Sequence, residues 1–467
     1  MYTKNEVICR VCGIVSGLLL GLPNILGVFA PVQCFALLPI LICVSRWEFK
    51  RSVLLASGMY MALGFTIPQM ILLKLPVPIS AILILVYIIV MMPMVLAAGR
   101  LLGQPGVVRC FVFAGLVVVL DWTNYTALPM WGTAQSIARP WSAYWYAIAY
   151  TSVTGMGGIV FLLVFVQSVA AVMINQHRIE KPMLKAVAVT AGVFFVLNLY
   201  SLMGGPVDSV KVAAVGWNKA AVQEYGDTYL PKGFENIYAK QVRLAAKQGA
   251  KLIISPEMGF YVDRYDRSKW VGMLTTLAVG CNVHLVVGYF DASRNKNQIL
   301  LVDNRGRMVD EYTKTYLTPF ERSNRGNGQP AIFNVAGVRA GGMICQDDNY
   351  TSISRRYGRA ATGLVAVPTL DWAHIRFAHL QNCIHRTIES RYALVRASYE
   401  GISAIVSARG KVIASFDNVT NGIGMVVGDV EIYNKRTIFS YAGNWFAIIA
   451  RMFVGGYLIW YRWLTTA

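Results

Sequence analysis

The chain has 467 residues, of which 55% are hydrophobic and only 14% are charged, a composition too apolar for a purely soluble protein. The formal net charge of +19 raises the question of a nucleic-acid partner. The sequence has no basic stripe with interleaved aromatic residues, and this argues against nucleic acid. Attraction to anionic lipid headgroups is the better explanation of the surplus charge.

Most of the apolar excess lies in the first 204 residues. Segments that approach the length needed to cross a hydrocarbon core of about 30 Å lie near 8–24, 28–45, 52–73, 78–98, 107–124, 154–175, 185–203 and 443–461. The first two are separated only by Leu22-Pro23-Asn24, so they form either a tight hairpin or a single kinked helix. We expect an α-helical transmembrane bundle of about eight helices, with about seven spans in 1–204 and the last in 441–467. The first segment is expected to be retained and not cleaved as a signal peptide.

The basic residues predict the orientation of these spans. They concentrate in alternate connections, at Lys4, Arg10, Arg46, Lys50, Arg51, Arg100, Arg109, Arg178, Lys181 and Lys185. The other connections carry little more than Lys74 and Arg139. By the positive-inside rule, the amino terminus is cytoplasmic and the block 205–440 lies on the opposite, extracytoplasmic side. Arg462 marks the inner end of the last span.

Cysteines are divided between the two parts of the chain. Five of them fall in apolar spans, where they are expected to be small buried hydrophobes: Cys9, Cys12, Cys34, Cys43 and Cys110. The block 205–440 holds Cys281, Cys345 and Cys383, an odd number that leaves at least one thiol unpaired.

The block 205–440 alternates strand-like and helix-like segments. Short β-branched runs occur at Val210–Val215, Leu252–Ser255, Val283–Phe290, Ile299–Val302, Gly342–Cys345, Gly363–Val367 and Ile402–Val406. Helical stretches such as Gly233–Gln248 and Phe377–Tyr392 lie between them. This interleaving predicts a layered α/β domain, with Gly204-Gly205-Pro206 at its boundary with the membrane part.

Three residues of this block form a set suited to covalent catalysis: Glu257, Lys314 and Cys345. A carboxylate can take the thiol proton, the thiolate can attack a carbonyl carbon, and an ammonium group can stabilise the oxyanion that develops. Because membrane helices enclose the block on both sides, the pattern indicates a lipid substrate.

The surrounding motifs resemble those of the carbon–nitrogen hydrolase (nitrilase) superfamily. Three of them occur in the expected order: Ile253-Ile254-Ser255-Pro256-Glu257, Tyr312 to Glu321 around Lys314, and Gly341-Gly342-Met343-Ile344-Cys345. The membrane-embedded branch of that superfamily, the apolipoprotein N-acyltransferase family, is similar along nearly the whole chain. Its further matches here are Asp121-Trp122, Leu128-Pro129-Met130-Trp131, Gln135, Thr154 to Gly157, His379-Leu380-Gln381, Arg386, Arg391, Arg396-Ala397, Gly401 to Ala404 and Tyr441 to Phe446.

The resemblance implies a four-layer αββα domain on the helical bundle and a two-step reaction without a cofactor or metal. Cys345 would take an acyl chain from a phospholipid as a thioester, and the α-amino group of a diacylglyceryl-cysteine lipoprotein would then accept it as an amide. Such lipoprotein maturation takes place at the extracytoplasmic, or periplasmic, face of the bacterial inner membrane. A site poor in water favours aminolysis over hydrolysis.

The sequence departs from the family pattern around the proposed site. Gln346 and Asp347 follow Cys345 where the family has an aromatic residue and a glutamate, and Glu321 stands one residue early. We expect Glu321, Gln346 and Asp347 to support the substrate or the three central residues. Trp372 and Trp217 stand in altered family motifs and are further candidates for substrate binding. Tyr229 is an alternative to Trp217 in this role.

Other residues have ordinary structural explanations. His379 and His385 are expected to pack or to form hydrogen bonds rather than act as bases, and Arg451 in the last span either has a function or snorkels to the interface. The loop 322–329 is a candidate lid. Two alternative functions stay open, a membrane-anchored amidase or hydrolase that uses the same three residues and a catalytically inactive binding or transport protein.

Overall fold

The computed structural model describes residues 2–104, 106–127, 131–228 and 231–466. The chain divides into two compact units. One comprises Met1–Ser201 with Asn444–Ala467 and is here named the helical unit, and the other comprises Leu202–Gly443 and is named the α/β unit.

The helical unit confirms the expected bundle. Its main helices are α1 (Lys4–Ile25), α2 (Leu38–Arg46), α3 (Arg51–Leu72), α4 (Val77–Leu101), α5 (Val107–Ala127), α6 (Gly157–Gln176) and α7 (Lys181–Leu202). Shorter helical turns lie at Gly27–Cys34, Gly132–Gln135, Arg139–Ala147 and Thr151–Thr154. Among the described residues, seven segments are long and apolar enough to span a membrane, one of them being Gly27–Arg46, which joins a 3₁₀ turn to α2. The first two apolar segments are therefore separate elements.

The expected eighth span forms the C-terminal helix Trp445–Thr466, which is 22 residues long. It is not among the seven segments, because Arg451 and Arg462 lower its mean hydropathy. Arg451 is exposed on the helical unit.

Glycines bring α1 and α3 into direct backbone contact. Side chains added at Gly13 and Gly17 would collide with the carbonyl oxygens of Ser57 and Met61, and a Cβ at Gly21 would lie 2.6 Å from the Phe65 oxygen. This spacing of one small residue every four is the pattern by which membrane helices approach each other closely.

The α/β unit contains two sheets. Its strands are β1 (Asp208–Gly216), β2 (Leu252–Ile254), β3 (Phe260–Val262), β4 (His284–Asp291), β5 (Lys296–Val302), β6 (Met308–Thr313), β7 (Ala331–Val335), β8 (Val338–Gly342), β9 (Leu364–Leu370), β10 (Ala393–Tyr399), β11 (Ile402–Val406), β12 (Val412–Asp417) and β13 (Gly424–Ile432). The first sheet has the order β13-β1-β2-β4-β5-β6, with β3 beside β4, and the second has the order β12-β11-β10-β9-β8-β7. The centre of each is parallel, β1-β2-β4 in the first and β8-β9-β10 in the second.

Helices cover the outer faces of both sheets, which confirms the αββα sandwich. On the first sheet lie α8 (Lys219–Tyr225), which adds Ala221 to the core beneath that sheet, α9 (Lys240–Lys247) and α10 (Arg267–Cys281). On the second lie α11 (Thr351–Arg359), whose Tyr357 donates a hydrogen bond to Gly342 O of β8, and α12 (Arg376–Ser390). The remaining short turns are Pro231–Gly233, Phe234–Ala239, Cys345–Asn349, Asn418–Asn421 and Ile438–Ala442. One expected strand is displaced: β8 ends at Gly342, so Cys345 lies beyond the strand, at the start of a 3₁₀ turn.

Candidate active site

Glu257 lies in the turn that follows β2 and is 2% exposed. Its Oε1 accepts hydrogen bonds from Lys314 Nζ and Asn297 Nδ2, both at 2.7 Å. Its Oε2 accepts one at 2.8 Å from the backbone N–H of Leu370, at the end of β9. These contacts fix the carboxylate between the loops of the two sheets.

Lys314 follows β6 directly and is also 2% exposed. Its Nζ donates to Glu257 Oε1 at 2.7 Å and to Glu321 Oε2 at 2.8 Å. Burial by itself lowers the pKa of Lys314, but the negative charges of Glu257 and Glu321 outweigh burial and raise the pKa well above its ordinary value, and a Cys345 thiolate would raise it further. The lysine is therefore a permanent cation in this environment.

Glu321 joins the same cluster although it stands one residue early in the sequence. The preceding Phe320 has a φ of 76°, a left-handed conformation that is uncommon for a residue other than glycine. Besides Lys314, Glu321 accepts a hydrogen bond from Asn297 Nδ2 at 3.1 Å. Burial works to raise the pKa of Glu321, but Lys314 and the hydrogen bonds lower it overall.

Cys345 opens the turn Cys345–Asn349, has a φ of 45° and is 4% exposed. Its Sγ lies 3.6 Å from the carbonyl oxygen of Leu370, the residue whose N–H binds Glu257. Burial raises the pKa of the thiol well above its usual range, the negative charge of Glu257 adds to this, and Lys314 opposes it. The thiol is therefore protonated at rest, and its reaction as a nucleophile requires a base.

Asp347 connects the turn after Cys345 to the loop after Lys314. It is fully buried and accepts hydrogen bonds from Tyr316 N at 2.7 Å, Thr315 N at 3.1 Å and Tyr312 Oη at 2.8 Å. Burial raises the pKa of Asp347 to about 7, against the effect of these hydrogen bonds. The neighbouring Gln346 is 3% exposed and accepts a hydrogen bond from Asn349 Nδ2 at 2.9 Å.

The two candidate tryptophans lie in different surroundings. Trp372 is 43% exposed, two residues after Leu370. Trp217 is 1% exposed and packs edge-on against Tyr238 and Phe260 in the core beneath the first sheet. The structure thus places Trp217 in the aromatic core rather than on an open surface. Tyr229 and the segment Leu128-Pro129-Met130 lie outside the described residues.

The loop 322–329 is tied to its neighbours by backbone hydrogen bonds. Asn324 N donates to Asn295 O at 2.7 Å, and Gly326 N donates to Lys314 O at 2.8 Å. Arg322 and Arg325 are exposed on this loop.

Sequence reasoning missed Asn297, whose amide bridges Glu257 and Glu321. A signal was present, because Asn297 and Gln298 follow Lys296 at the start of β5 and precede four apolar residues. Because buried polar groups are nearly always hydrogen-bonded, two amide side chains in a buried strand indicate hydrogen-bond partners within the core.

Comparison with known proteins agrees with this architecture. Residues 211–433 match the carbon–nitrogen hydrolase family model. The chain thus combines helices that are long and apolar enough to span a membrane with a domain that matches the carbon–nitrogen hydrolase family model.

The chain is also similar to proteins of a narrower group. The chain is 22% identical to apolipoprotein N-acyltransferase 2 of Treponema denticola, over 78% of this chain and 79% of the relative. It is 20% identical to apolipoprotein N-acyltransferase of Rickettsia bellii, over 72% of each chain. Both alignments extend well beyond the hydrolase domain. Among solved structures, an amidase from Nesterenkonia sp. superposes with a TM-score of 0.41 at 19% identity, covering 52% of this chain and 98% of the amidase.

Proposed function

We propose that this chain is an N-acyltransferase that moves an acyl chain from a phospholipid, through a Cys345 thioester, to the α-amino group of a diacylglyceryl-cysteine lipoprotein. The observation that carries the proposal is the buried Lys314–Glu257 ion pair beside the Cys345 thiol. The similarity to apolipoprotein N-acyltransferase 2 of Treponema denticola over 78% of the chain supports the choice of a lipoprotein amine as acceptor.

In the first step, Glu257 takes the thiol proton as Cys345 Sγ attacks the ester carbonyl carbon of the phospholipid. The raised thiol pKa makes this base necessary. Lys314 stabilises the oxyanion of the tetrahedral intermediate. The ester C–O bond then breaks, the leaving lysophospholipid alkoxide takes the proton from Glu257, and the acyl group stays on sulfur.

In the second step, the lipoprotein amine attacks the thioester carbonyl carbon and Glu257 accepts a proton from the nitrogen. The C–S bond breaks as the amide forms, and the proton returns from Glu257 to the Cys345 thiolate. Lys314 again stabilises the oxyanion. The contacts of Asn297 and Leu370 N with Glu257 hold the base in place through both steps.

Other residues of the site have proposed supporting roles. Glu321 balances the charge of Lys314 at 2.8 Å, and Asp347 holds the backbone next to Lys314. Trp372 and Gln346 are the remaining candidates for contact with the substrate, since Trp372 is exposed close to Leu370 and Gln346 adjoins Cys345.

We further propose that the catalytic domain lies on the extracytoplasmic side of a bacterial inner membrane. The basic residues of the alternate connections support this orientation. A membrane-impermeant thiol reagent added to spheroplasts is expected to label a cysteine introduced in the loop 324–329 but not one introduced at 178–181. Equal labelling of both positions would contradict the orientation.

The central experiment is mass spectrometry of the purified chain after exposure to phosphatidylethanolamine. We expect one acyl-chain mass on the peptide that contains Cys345. The mass should disappear when a diacylated lipopeptide with a free amine is added, and the lipopeptide should become triacylated. Release of fatty acid at the same rate with and without the lipopeptide would instead assign a hydrolase.

A further inference from the structure

A cluster of five buried side chains adjoins the turn that carries Cys345. Asp348 belongs to that turn, Asp371 follows Leu370, His379 and Cys383 lie on α12, and Arg396 lies on β10. Arg396, Asp348 and Cys383 are fully buried, and Asp371 and His379 are 3% and 8% exposed. The mechanism proposed above uses none of these side chains.

Two cations of the cluster each bridge the same two carboxylates. His379 Nδ1 lies 2.6 Å from Asp371 Oδ1, and His379 Nε2 lies 3.3 Å from Asp348 Oδ1. Arg396 Nη2 lies 2.5 Å from Asp371 Oδ2, and Arg396 Nη1 lies 3.9 Å from Asp348 Oδ2. Cys383 Sγ donates to Asp348 Oδ2 at 2.7 Å. The contacts connect the Cys345 turn to the end of β9.

The charges of this cluster balance only when His379 is protonated. Two carboxylates then face one guanidinium and one imidazolium, and a buried charge without a partner is costly. Burial and Arg396 both lower the pKa of His379, but Asp348 and Asp371 raise it to about 9 overall. The charged groups around the imidazole are thus Asp348, Asp371 and Arg396, with the Cys383 thiol one turn further along the same helix.

We propose that protonated His379, together with Arg396, is a positioning element that holds the Cys345 turn against the end of β9. Leu370 is the link, because its carbonyl oxygen lies 3.6 Å from Cys345 Sγ and its N–H binds Glu257. A shift of Asp371 relative to Asp348 therefore moves the thiol relative to its base. We call the ion pairs of His379 and Arg396 with Asp348 and Asp371 the ion-pair brace. Its effect on catalysis rests on the proposed function.

The cluster has one competing explanation. The donor atoms of Asp348, His379 and Cys383 lie within 4.8 Å of one another, a spacing also suited to a metal ion. Arg396 Nη1 lies 3.0 Å from Cys383 Sγ and fills the cationic position beside the thiol. We therefore assign the cluster as an ion-pair brace.

The test compares His379→Gln with His374→Gln, an exposed histidine of the preceding loop. Two rates are measured on the full-length protein from pH 6 to pH 10: alkylation of Cys345 by iodoacetamide, followed on its peptide by mass spectrometry, and thioester formation from phosphatidylethanolamine. At pH 7, we expect His379→Gln to make Cys345 more accessible to alkylation while slowing thioester formation roughly 10- to 100-fold, because a displaced nucleophile is reachable but misaligned. His374→Gln should match the wild type in both rates.

The wild type supplies a measurement that does not depend on the folding of a variant. Its alkylation rate should rise more steeply above pH 9, where His379 loses its proton, than thiol ionisation alone predicts. A wild-type profile without this break, unchanged rates in His379→Gln, or stoichiometric zinc in the purified wild type would each overturn the brace. If the alkylation pattern holds but the wild type forms no thioester, the brace stands and the proposed acyl transfer fails.

Discussion

The two sheets of the α/β unit contribute different chemistry to the candidate site. Loops and strands of the first sheet supply the charged groups and their amide partner, Glu257, Lys314 and Asn297. The second sheet supplies the thiol of Cys345 and the backbone of Leu370. The charged groups of the first sheet and the thiol of the second sheet meet only when the two sheets pack face to face. The set is therefore a product of the tertiary fold, and the following variants separate the two contributions.

Cys345→Ala is expected to have the largest effect, a complete loss of acyl-enzyme and turnover. Without the sulfur atom, the second sheet offers no nucleophile at this position. The measurement is the acyl-chain mass after exposure to phospholipid, with Cys281→Ala as the matched control on α10. Turnover by Cys345→Ala would refute the proposed reaction.

Lys314→Met is expected to have the next largest combined effect on rate and stability, since it removes the cation that both carboxylates share. Loss of one oxyanion donor lowers rates about 10²–10³-fold, and the unpaired Glu257 and Glu321 should also cost about 3–5 kcal/mol of unfolding free energy. Thioester formation and thermal unfolding are measured together, and the exposed Lys269→Met is the control. Near-normal rates in Lys314→Met would remove Lys314 from the reaction.

Glu257→Gln is expected to slow thioester formation by about 10²–10⁴-fold, because an amide cannot accept the thiol proton. Its stability should fall less than that of Lys314→Met, since Lys314 keeps Glu321 at 2.8 Å. A large loss of rate with a small loss of stability distinguishes a base from a purely structural partner. Glu235→Gln, in an exposed ion pair with Arg243, is the control. Equal losses of stability in the two variants would argue against the distinction.

Glu321→Gln is expected to have the smallest effect, a fall in rate of about tenfold, because one charge-assisted hydrogen bond to Lys314 is weakened while the bond to Glu257 remains. Ser323→Ala, which removes a neighbouring hydroxyl that donates to Glu321, is a milder companion variant. A loss in Glu321→Gln as large as that in Glu257→Gln would make Glu321 an alternative base.

Local sequence patterns predicted the apolar helices and the strands β1, β2, β4, β5, β9 and β11, but not β3, β6, β7, β10, β12 and β13. Seven apolar segments of membrane length and the alternation of strands and helices predicted both units. The strand expected at Gly342–Cys345 was misplaced, because β8 runs from Val338 to Gly342 and the backbone turns into a 3₁₀ helix at Cys345. The order of the motifs around Glu257, Lys314 and Cys345 resembled that of the carbon–nitrogen hydrolase superfamily. Whether those three residues act together in catalysis stays a prediction.

Local sequence patterns could not predict the contacts between distant segments of the chain. Asn297 reaches Glu257 across 40 positions of sequence, and Leu370 N reaches it across 113. His379 was assigned correctly to hydrogen bonding, but its two aspartate partners lie 8 and 31 residues away and only the fold brings them together. Trp217 resembled a binding residue because its motif was altered, whereas the core packing of aromatic rings accounts for its surroundings.

The glycine contact between α1 and α3 has a consequence for how the chain is made. Helix α1 leaves the ribosome before α3 exists, so its face of Gly13, Gly17 and Gly21 must first lie against lipid or a helper protein. Lipid tails fill such a groove poorly, and α3 fits it backbone to backbone. We therefore expect bulky residues on this face to lower the yield of folded chain, before any enzyme activity is measured.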